Sequence, residues 1–248
     1  MTDFIAEADR ALLNSKGLAD FDALWSLQLQ PVDEPNVERG GWSSVFRLEL
    51  NEASFYLKRQ SNHLTRTLVR PFGEPTFSRE FRNIQRYRKL GIPTLEASFF
   101  GQRRVGSEQR AVLMTRALDD WDDLESWLVQ WHELDGLRRA AILKATGKLA
   151  KRLHSAGQIH GCFYPKHIFL QQQPNGWHAC LIDLEKTRPL LLGRRDRVKD
   201  LEPLLRRASC WSQDDIHKLL AVYLSDDEAV DRWAPQLASR RHEKEMRT

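Results

Sequence analysis

The sequence predicts an α+β protein of two lobes, a small β-rich N-terminal lobe followed by a larger, mainly α-helical C-terminal lobe. Two runs of alternating apolar and polar residues, 42–50 and 53–58, are typical of paired strands. An amphipathic helix pattern follows at 78–90. From residue 119 onward the pattern is mostly helical, interrupted only by a short β-like stretch at 167–183. The order of these elements, rather than any single segment, supports the prediction.

The other elements follow in chain order. Residues 4–29 have helical spacing and are expected to form two helices separated at Gly17. Asn51-Glu52 is the expected turn of the first hairpin, and residues 59–75 are expected to form a basic loop. The remaining predictions are strands at 96–102 and 109–115, helices at 123–132 and 137–155, strands at 167–171 and 178–183, and a helical C-terminal third.

Three regions are predicted. The segment PVDEPNVERGG, with two prolines and two glycines, separates an N-terminal helical extension from the first lobe. We place the extension at residues 1–30, the N-lobe at 31–115 and the C-lobe at 116–248.

The composition is that of an ordinary globular protein. The 248 residues carry 38 Lys and Arg against 34 Asp and Glu, a formal net charge of +4. This excess is too small to indicate nucleic acid, and we expect none; it fits an anionic substrate or an anionic membrane surface. Three widely spaced cysteines form neither a disulfide framework nor a CxxC metal site. Without a secretory signal or an 18-residue apolar run, we expect a cytoplasmic protein that contacts a membrane only peripherally.

Features of the first lobe could hold phosphate groups. Gly40 and Gly41 lie just before Ser43, and glycine lets backbone N–H groups approach a phosphate closely. Lys58 ends the second strand, and Glu80 lies on the helix that follows. In kinase-like lobes a strand lysine, held by a helix glutamate, contacts the phosphates of ATP. Taken singly, each of these residues is explained by a plain turn or a solvated charge. Only their order along the chain favours phosphate binding.

Two segments of the second lobe have the layout of a catalytic loop and a metal-binding aspartate. The first is IHGCFYPKHIFL, residues 159–170, which follows a helix that ends at Gly157. The second is LIDLEK, residues 181–186, which follows an Asn175-Gly176 turn and contains Asp183.

These motifs resemble those of the lipopolysaccharide core kinases, the Kdo/WaaP and InaA group of the protein-kinase-like superfamily. The resemblance covers about residues 38–205, and Gly91-Ile92-Pro93-Thr94 adds lesser support. The family's catalytic loop typically has His-x-Asp followed five residues later by histidine or asparagine, and its metal-binding segment typically has Ile-Asp-Leu. The resemblance implies a protein-kinase-like two-lobed fold, with ATP and Mg²⁺ as cofactors.

The resemblance also implies roles for single residues. Lys58 would contact the ATP phosphates, Glu80 would orient Lys58, and Asp183 would hold Mg²⁺. His167 falls at the second metal position, although Mg²⁺ prefers oxygen ligands, so His167 binding phosphate or the loop instead stays open. The other implied positions are the adenine hinge, at Met114, Thr115 and Arg116, the glycine turn at Gly40, Gly41 and Ser43, and Asp200, which would support the catalytic loop from a later helix.

Cys162 departs from the family pattern because it occupies the position of the catalytic base. A thiol is mostly protonated at neutral pH and accepts hydrogen bonds weakly, so it cannot replace an aspartate as base. His160 or Glu185 could serve instead, although a histidine at this position normally packs beneath the loop. A nucleophilic Cys162 is less favoured, because no residue is evident to orient a His–Cys pair.

The expected function is ATP-dependent phosphorylation of a heptose or Kdo hydroxyl in the lipopolysaccharide inner core. The expected partners are the core oligosaccharide or a lipid-linked precursor, with peripheral contact to the anionic inner-membrane surface left open. One alternative is a pseudokinase, a nucleotide-binding regulator or scaffold without a catalytic base. A small-molecule phosphotransferase of the aminoglycoside or choline kinase type shares the fold, but those enzymes normally keep the base.

Two basic clusters could attract a phosphorylated acceptor. Arg59, His63, Arg66 and Arg70 follow the lysine strand, and the residues 193–199 follow the metal segment. Arginine forks suit phosphate, but a solvated basic face explains both clusters equally well.

Overall fold

The structure is a computed structural model that describes residues 3–37, 40–51, 53–67, 70–226, 230–235 and 237. The chain divides into two compact units. The first comprises Met1–Tyr87 and Leu95–Asp119, and the second comprises Arg88–Thr94 and Asp120–Thr248. Residues 88–94, which lie inside the N-lobe by sequence, therefore pack with the second unit.

The first unit is built on a five-stranded antiparallel sheet with the order β1-β6-β7-β3-β2. Its elements are β1 (Phe4–Ile5), α1 (Glu7–Ser15), α2 (Phe21–Ser26), β2 (Trp42–Leu50), β3 (Ala53–Ser61), β4 (Leu64–Thr67), β5 (Arg70–Pro75), α3 (Thr76–Lys89), β6 (Ala97–Val105) and β7 (Glu108–Arg116).

Alternation along β2 and β3 produces the core of this unit. Phe46 and Leu48 of β2 and Phe55 and Leu57 of β3 are buried, whereas the residues between them are more exposed. These side chains pack with the buried residues of α1 and α2, which are Leu13, Phe21 and Leu24. The predicted hairpin is therefore confirmed, and the N-terminal helices pack on its sheet.

Two predictions for this unit are wrong. Phe4 and Ile5 form β1, paired with Phe100 and Phe99 of β6, instead of beginning a helix. The short apolar pair gains more from edge pairing and from the Phe4–Phe81 ring contact, at 5.0 Å between centroids, than from a helix turn. The basic segment predicted as a loop contains the β4–β5 hairpin; its cations Arg66 and Arg70 are exposed, so their charges do not oppose strand pairing.

Helix α3 forms as predicted, and β3 fixes its first turn. The backbone N–H of Phe77 and the hydroxyl of Thr76 both donate to the Gln60 side-chain carbonyl, at 2.8 and 2.7 Å. One of the N–H groups that a helix start leaves without a partner is thereby satisfied. This anchor sets where Glu80, one turn later, meets the sheet.

The second unit is mainly helical, with two small sheets of orders β11-β10-β8 and β12-β9. Its elements are β8 (Asp122–Asp123), α4 (Leu124–Val129), α5 (Gly136–Ser155), β9 (Gln158–Ile159), β10 (Ile168–Gln173), β11 (Gly176–Leu181), β12 (Arg188–Pro189), α6 (Arg194–Arg207) and α7 (Gln213–Leu224), with 3₁₀ turns at Trp131–Glu133, Pro165–His167 and Leu184–Lys186.

Helices α5 and α7 pack closely because α5 has a glycine at their contact. A Cβ atom at Gly147 would come within 2.9 Å of the Leu219 carbonyl oxygen and 3.1 Å of Val222. A larger residue would push the helices apart, so this glycine is required by packing. None of the helices among the described residues is long and apolar enough to cross a bilayer.

Candidate active site

Lys58 and Glu80 form a buried ion pair in the first unit. Strand β3 carries Lys58 and helix α3 carries Glu80, and the Lys58 Nζ lies 2.7 Å from Glu80 Oε1. The Glu80 side chain is 3% exposed, and the Phe77 ring lies beside the ammonium at 5.9 Å. Because a buried carboxylate needs a partner, the pair fixes both side chains. The sequence order predicted these two residues together, and the structure brings them together.

The glycine turn is built differently from the sequence prediction. Glu38 and Arg39, which begin that motif, lie outside the described residues. Gly40 has a positive φ of 75°, and a Cβ atom at Gly41 would overlap the backbone of Ser61 and Asn62. Gly41 is thus explained by close packing of two chain segments.

The backbone N–H and carbonyl groups of Ser43 are already hydrogen-bonded within the protein. Its N–H donates to the Asn36 carbonyl at 2.8 Å, and its own carbonyl accepts from Asn36 at 2.9 Å. A phosphate contact at Ser43 would therefore depend on its hydroxyl.

Met114, Thr115 and Arg116, the predicted adenine hinge, lie at the end of β7. This strand pairs with β3 on one side and β6 on the other. The Arg116 N–H donates to the Glu96 carbonyl at 2.9 Å, and its side chain pairs with Asp9. Strand pairing therefore uses backbone groups of Met114 and Thr115, and a hinge contact at this position stays a prediction.

In the second unit, Asp200 of α6 holds the loop that contains Cys162. The backbone N–H groups of His160 and Gly161 donate to its two carboxylate oxygens at 2.8 and 2.7 Å, and His154 Nε2 lies 3.1 Å away. Burial raises the pKa of Asp200, but the bonds from His154 and the loop outweigh it and leave the pKa below its usual value. The predicted supporting aspartate is confirmed in position.

His160 uses both ring nitrogens inside this loop. Its Nε2 lies 2.9 Å from the Ile182 carbonyl oxygen, and its Nδ1 accepts from the Cys162 N–H at 3.3 Å. Nε2 must therefore carry the proton and donate it to the carbonyl. With its lone pair occupied and its side chain fully buried, His160 cannot act as a base; its role is structural.

The side chains of His167 and Asp183 lie next to each other. His167 Nδ1 donates to the Cys162 carbonyl at 2.9 Å, and Nε2 lies 3.3 Å from Asp183 Oδ2. Burial lowers the pKa of His167 more than the neighbouring Asp183 carboxylate raises it. Carboxylate oxygens are the ligands that Mg²⁺ prefers, so Asp183 fits the role of a Mg²⁺ ligand.

The surroundings of Asp183 hold it in an unusual conformation. Its φ of 56° and ψ of 63° lie in the left-handed region, which aspartate tolerates better than most residues. Just before it, Thr94 Oγ1 donates to the Leu181 carbonyl at 2.8 Å and the Ile182 N–H donates to the His167 carbonyl at 3.1 Å. Among the described residues no cluster of three or more metal-ligating side chains occurs. Magnesium held by one carboxylate and by substrate phosphates needs no such cluster.

Cys162 faces Lys186 of the LIDLEK segment. The sequence had not predicted a role for this lysine. The thiol is 4% exposed, and Gly161 before it must be glycine because a Cβ atom there would come within 2.7 Å of the Lys186 carbonyl oxygen. Burial raises the pKa of the Cys162 thiol, and the Lys186 ammonium does not offset it. A thiolate would raise the pKa of Lys186. Because the thiol stays protonated at neutral pH, the lysine faces a neutral group.

We expect Cys162 to react with iodoacetamide at pH 7.5 at least about 10-fold more slowly than a free cysteine, because only the thiolate attacks. Cys210, which is partly exposed, should be alkylated before it, and Cys180, whose pKa burial raises to about 12, should react last. Timed alkylation with peptide mass spectrometry gives the order. Preferential labelling of Cys162 would show that its thiol is ionised.

The first basic cluster is largely structural. Arg59 is buried, donates to the carbonyls of Trp25 and Leu27 at 2.6 and 2.8 Å, and lies over the Phe46 ring at 4.0 Å. His63 is buried too, whereas Arg66 and Arg70 are exposed. A phosphorylated acceptor could therefore meet only part of this cluster.

The comparisons with known proteins agree with the motifs. The model of the "Lipopolysaccharide kinase (Kdo/WaaP) family" matches residues 22–223. "Protein InaA" of Escherichia coli (strain K12) is 33% identical over 206 residues, which covers 78% of this chain and 93% of that protein. A solved structure, "WaaP in complex with acyl carrier protein", matches with a TM-score of 0.74 at 22% identity and covers 98% of both chains, which confirms the kinase-like fold. This chain belongs to the lipopolysaccharide kinase (Kdo/WaaP) family.

Proposed function

We propose that this chain transfers the γ-phosphoryl group of ATP to a hydroxyl of heptose or Kdo in the lipopolysaccharide inner core. The observation that carries the proposal is the His167–Asp183 pair, in which a carboxylate suited to Mg²⁺ lies beside the loop that Asp200 holds. Membership of a lipopolysaccharide kinase family supplies the substrate class.

Each unit, taken by itself, contains residues suited to ATP. In the first, the Lys58 ammonium, fixed by Glu80, would hold phosphate oxygens. In the second, Asp183 would hold Mg²⁺ and His167 would keep Asp183 in place. The bound metal would supply charge neutralisation on the phosphates. Gly40, Gly41 and the hydroxyl of Ser43 stay candidates for phosphate contact.

Removal of the acceptor proton is assigned to neither Cys162 nor His160. The protonated Cys162 thiol cannot accept the proton, and His160 has no free lone pair. Glu185, next to Lys186 in the 3₁₀ turn that follows Asp183, is a further carboxylate that could accept the proton. Phosphoryl transfer depends mainly on positioning and electrostatics, so a slow enzyme without a strong base is consistent with the chemistry.

We further propose that the chain works in the cytoplasm at the inner membrane, where it would meet lipid-linked core sugars. The modest positive charge fits phosphorylated acceptors, and nothing in the composition favours nucleic acid.

The test is a transfer assay with purified full-length chain, γ-labelled ATP, Mg²⁺ and dephosphorylated core oligosaccharide, with separate heptose and Kdo arms. We expect label on one sugar, and a loss of about 10²-fold or more in Asp183→Asn, since the metal clamp stabilises transition-state charge. Asp214→Asn, an exposed aspartate on α7, is the matched control and should be unaffected. Equal rates for the wild type and Asp183→Asn would refute the proposal.

A pseudokinase is the second candidate, and the neutral Cys162 thiol beside Lys186 favours it. Such a protein would bind ATP without transferring phosphate. ATP binding measured by calorimetry, together with absent transfer in every acceptor arm, would support this alternative.

A further inference from the structure

A short loop of the second unit presents two leucines to solvent. Leu191 and Leu192 follow β12 and are 75% and 57% exposed. Most exposed apolar residues of this unit, such as Val129, stand singly, and isolated ones are normal on protein surfaces. Two adjacent leucines at the tip of one loop form a larger apolar surface. We call residues 190–193, which precede α6, the leucine loop.

The leucine loop is held rigidly by Asp196. The backbone N–H groups of Leu191 and Leu192 donate to Asp196 Oδ2 at 2.9 and 3.0 Å. Arg188 forks onto the same carboxylate with bonds of 3.1 and 2.8 Å. Asp196 is buried, and the Arg188 bonds hold its pKa well below the usual range, so it stays ionised and keeps these bonds. The exposure of the leucines is therefore built into the fold.

The exposed charged side chains that follow the leucines along the chain, up to residue 199, are positive. Arg194 is exposed, with its guanidinium over the Trp233 ring at 5.2 Å and a bond to the Arg232 carbonyl at 3.1 Å. Arg195 and Lys199 are exposed and lie one turn apart on the same face of α6. The one acid of residues 193–199, Asp196, is buried and neutralised by Arg188. Arg194, Arg195 and Lys199 are therefore the cations of the second basic cluster that face solvent.

The leucine loop is connected by strand pairing to residues 160–167, which we call the acceptor loop because they contain Cys162, the expected position of the base. Strand β12, which precedes it, pairs with β9, and β9 leads directly into His160 and Cys162. The Leu190 N–H also donates to the Gly157 carbonyl at 2.8 Å. The leucine loop is therefore tied through backbone hydrogen bonds to the segment that precedes Cys162.

We propose that the leucine loop docks on an anionic lipid bilayer. Leu191 and Leu192 insert at the boundary between headgroups and acyl chains, and Arg194, Arg195 and Lys199 meet lipid phosphates. Leucines combined with arginines favour this occupant, because a bilayer offers apolar and anionic surface together. The relevance to catalysis rests on the proposed function, since docking would bring the acceptor loop to lipid-linked sugars; the docking itself does not.

The experiment is sedimentation of full-length chain with vesicles, without ATP or acceptor. Vesicles of phosphatidylglycerol and phosphatidylethanolamine are compared with neutral phosphatidylcholine vesicles. The variants are Leu191→Ser with Leu192→Ser, and Arg195→Gln with Lys199→Gln. Val129→Ser, an 87% exposed apolar residue of the same unit, is the control, and Phe72→Ser tests the 92% exposed aromatic of the β4–β5 hairpin. Circular dichroism checks that each variant folds.

We expect binding to anionic vesicles that weakens with salt, a loss of about tenfold or more in the leucine variant and about fivefold for each cation removed. Val129→Ser should bind like the wild type. The proposal is overturned if the wild type does not bind, if the leucine variant binds equally, or if only Phe72→Ser loses binding. It is also overturned if the leucine variant loses only self-association. Asp183→Asn should bind vesicles fully, which separates this result from failure of the kinase proposal.

Discussion

Replacing Asp200 by alanine is expected to lower the free energy of unfolding by about 3–5 kcal/mol. The change leaves the N–H groups of His160 and Gly161 and the His154 ring without their acceptor, and each buried unpaired donor costs about 1–3 kcal/mol. Partial relaxation of the loop would reduce the sum. Urea unfolding followed by near-UV circular dichroism measures the loss.

The effect should be local as well as global. Hydrogen exchange with mass spectrometry should show the amides of His160 and Gly161 losing protection in Asp200→Ala. The exposed aspartate Asp214 gives the control, and Asp214→Ala should change stability by less than about 0.5 kcal/mol. A loss of under 1 kcal/mol in Asp200→Ala, with unchanged exchange at these amides, would contradict the role given to Asp200.

Acid should remove the same stabilisation. The pKa of Asp200 is lowered in the folded state, so its contribution is complete above the unfolded value of about 3.9 and is lost as the pH falls through the folded value. In Asp200→Asn the stability should therefore depend less steeply on pH between about 2 and 5. Measurement of urea midpoints across that range tests the sign.

The sequence predicted those parts of the site whose residue types occur in a fixed order along the chain of a kinase-like protein. Lys58 and Glu80 could be paired from sequence because a strand lysine and a helix glutamate have a fixed order in this type of lobe. His167 and Asp183 were identified by motif for the same reason, and they do lie together. Asp200 was found only through the family pattern, since no local signal distinguishes a buried helix aspartate.

The sequence could not predict features that depend on tertiary placement. The pairing of Met114 and Thr115 with strands on both sides was not predicted, because the sequence does not show where a central strand ends. The exposure of Leu191 and Leu192 was missed because apolar residues are expected inside. Lys186 was missed too, since its contact with Cys162 follows from the turn between β11 and β12 rather than from spacing.

Replacing Cys162 by aspartate is expected to raise phosphoryl transfer about 10²–10⁴-fold, the usual contribution of a general base. The new carboxylate would lie beside the Lys186 ammonium, which now faces a neutral thiol. Burial would raise the pKa of the carboxylate and Lys186 would oppose that rise; because the usual pKa of aspartate is about 3.9, the carboxylate would be ionised at neutral pH. ATP affinity should not change, because Lys58 and Asp183 are left intact.

The comparison with Cys162→Asn separates the two candidate functions. Asparagine has the shape of aspartate without its charge, so it should not raise the rate if the gain comes from proton removal. A wild type without measurable transfer and an active Cys162→Asp variant would mean that the fold retains every other requirement and that the natural protein is a pseudokinase. A robust wild-type rate that neither substitution changes would place the base elsewhere, with Glu185 the next residue to replace. Steady-state rates with a common acceptor and saturating Mg²⁺–ATP distinguish these outcomes, because only the chemical step differs between the variants.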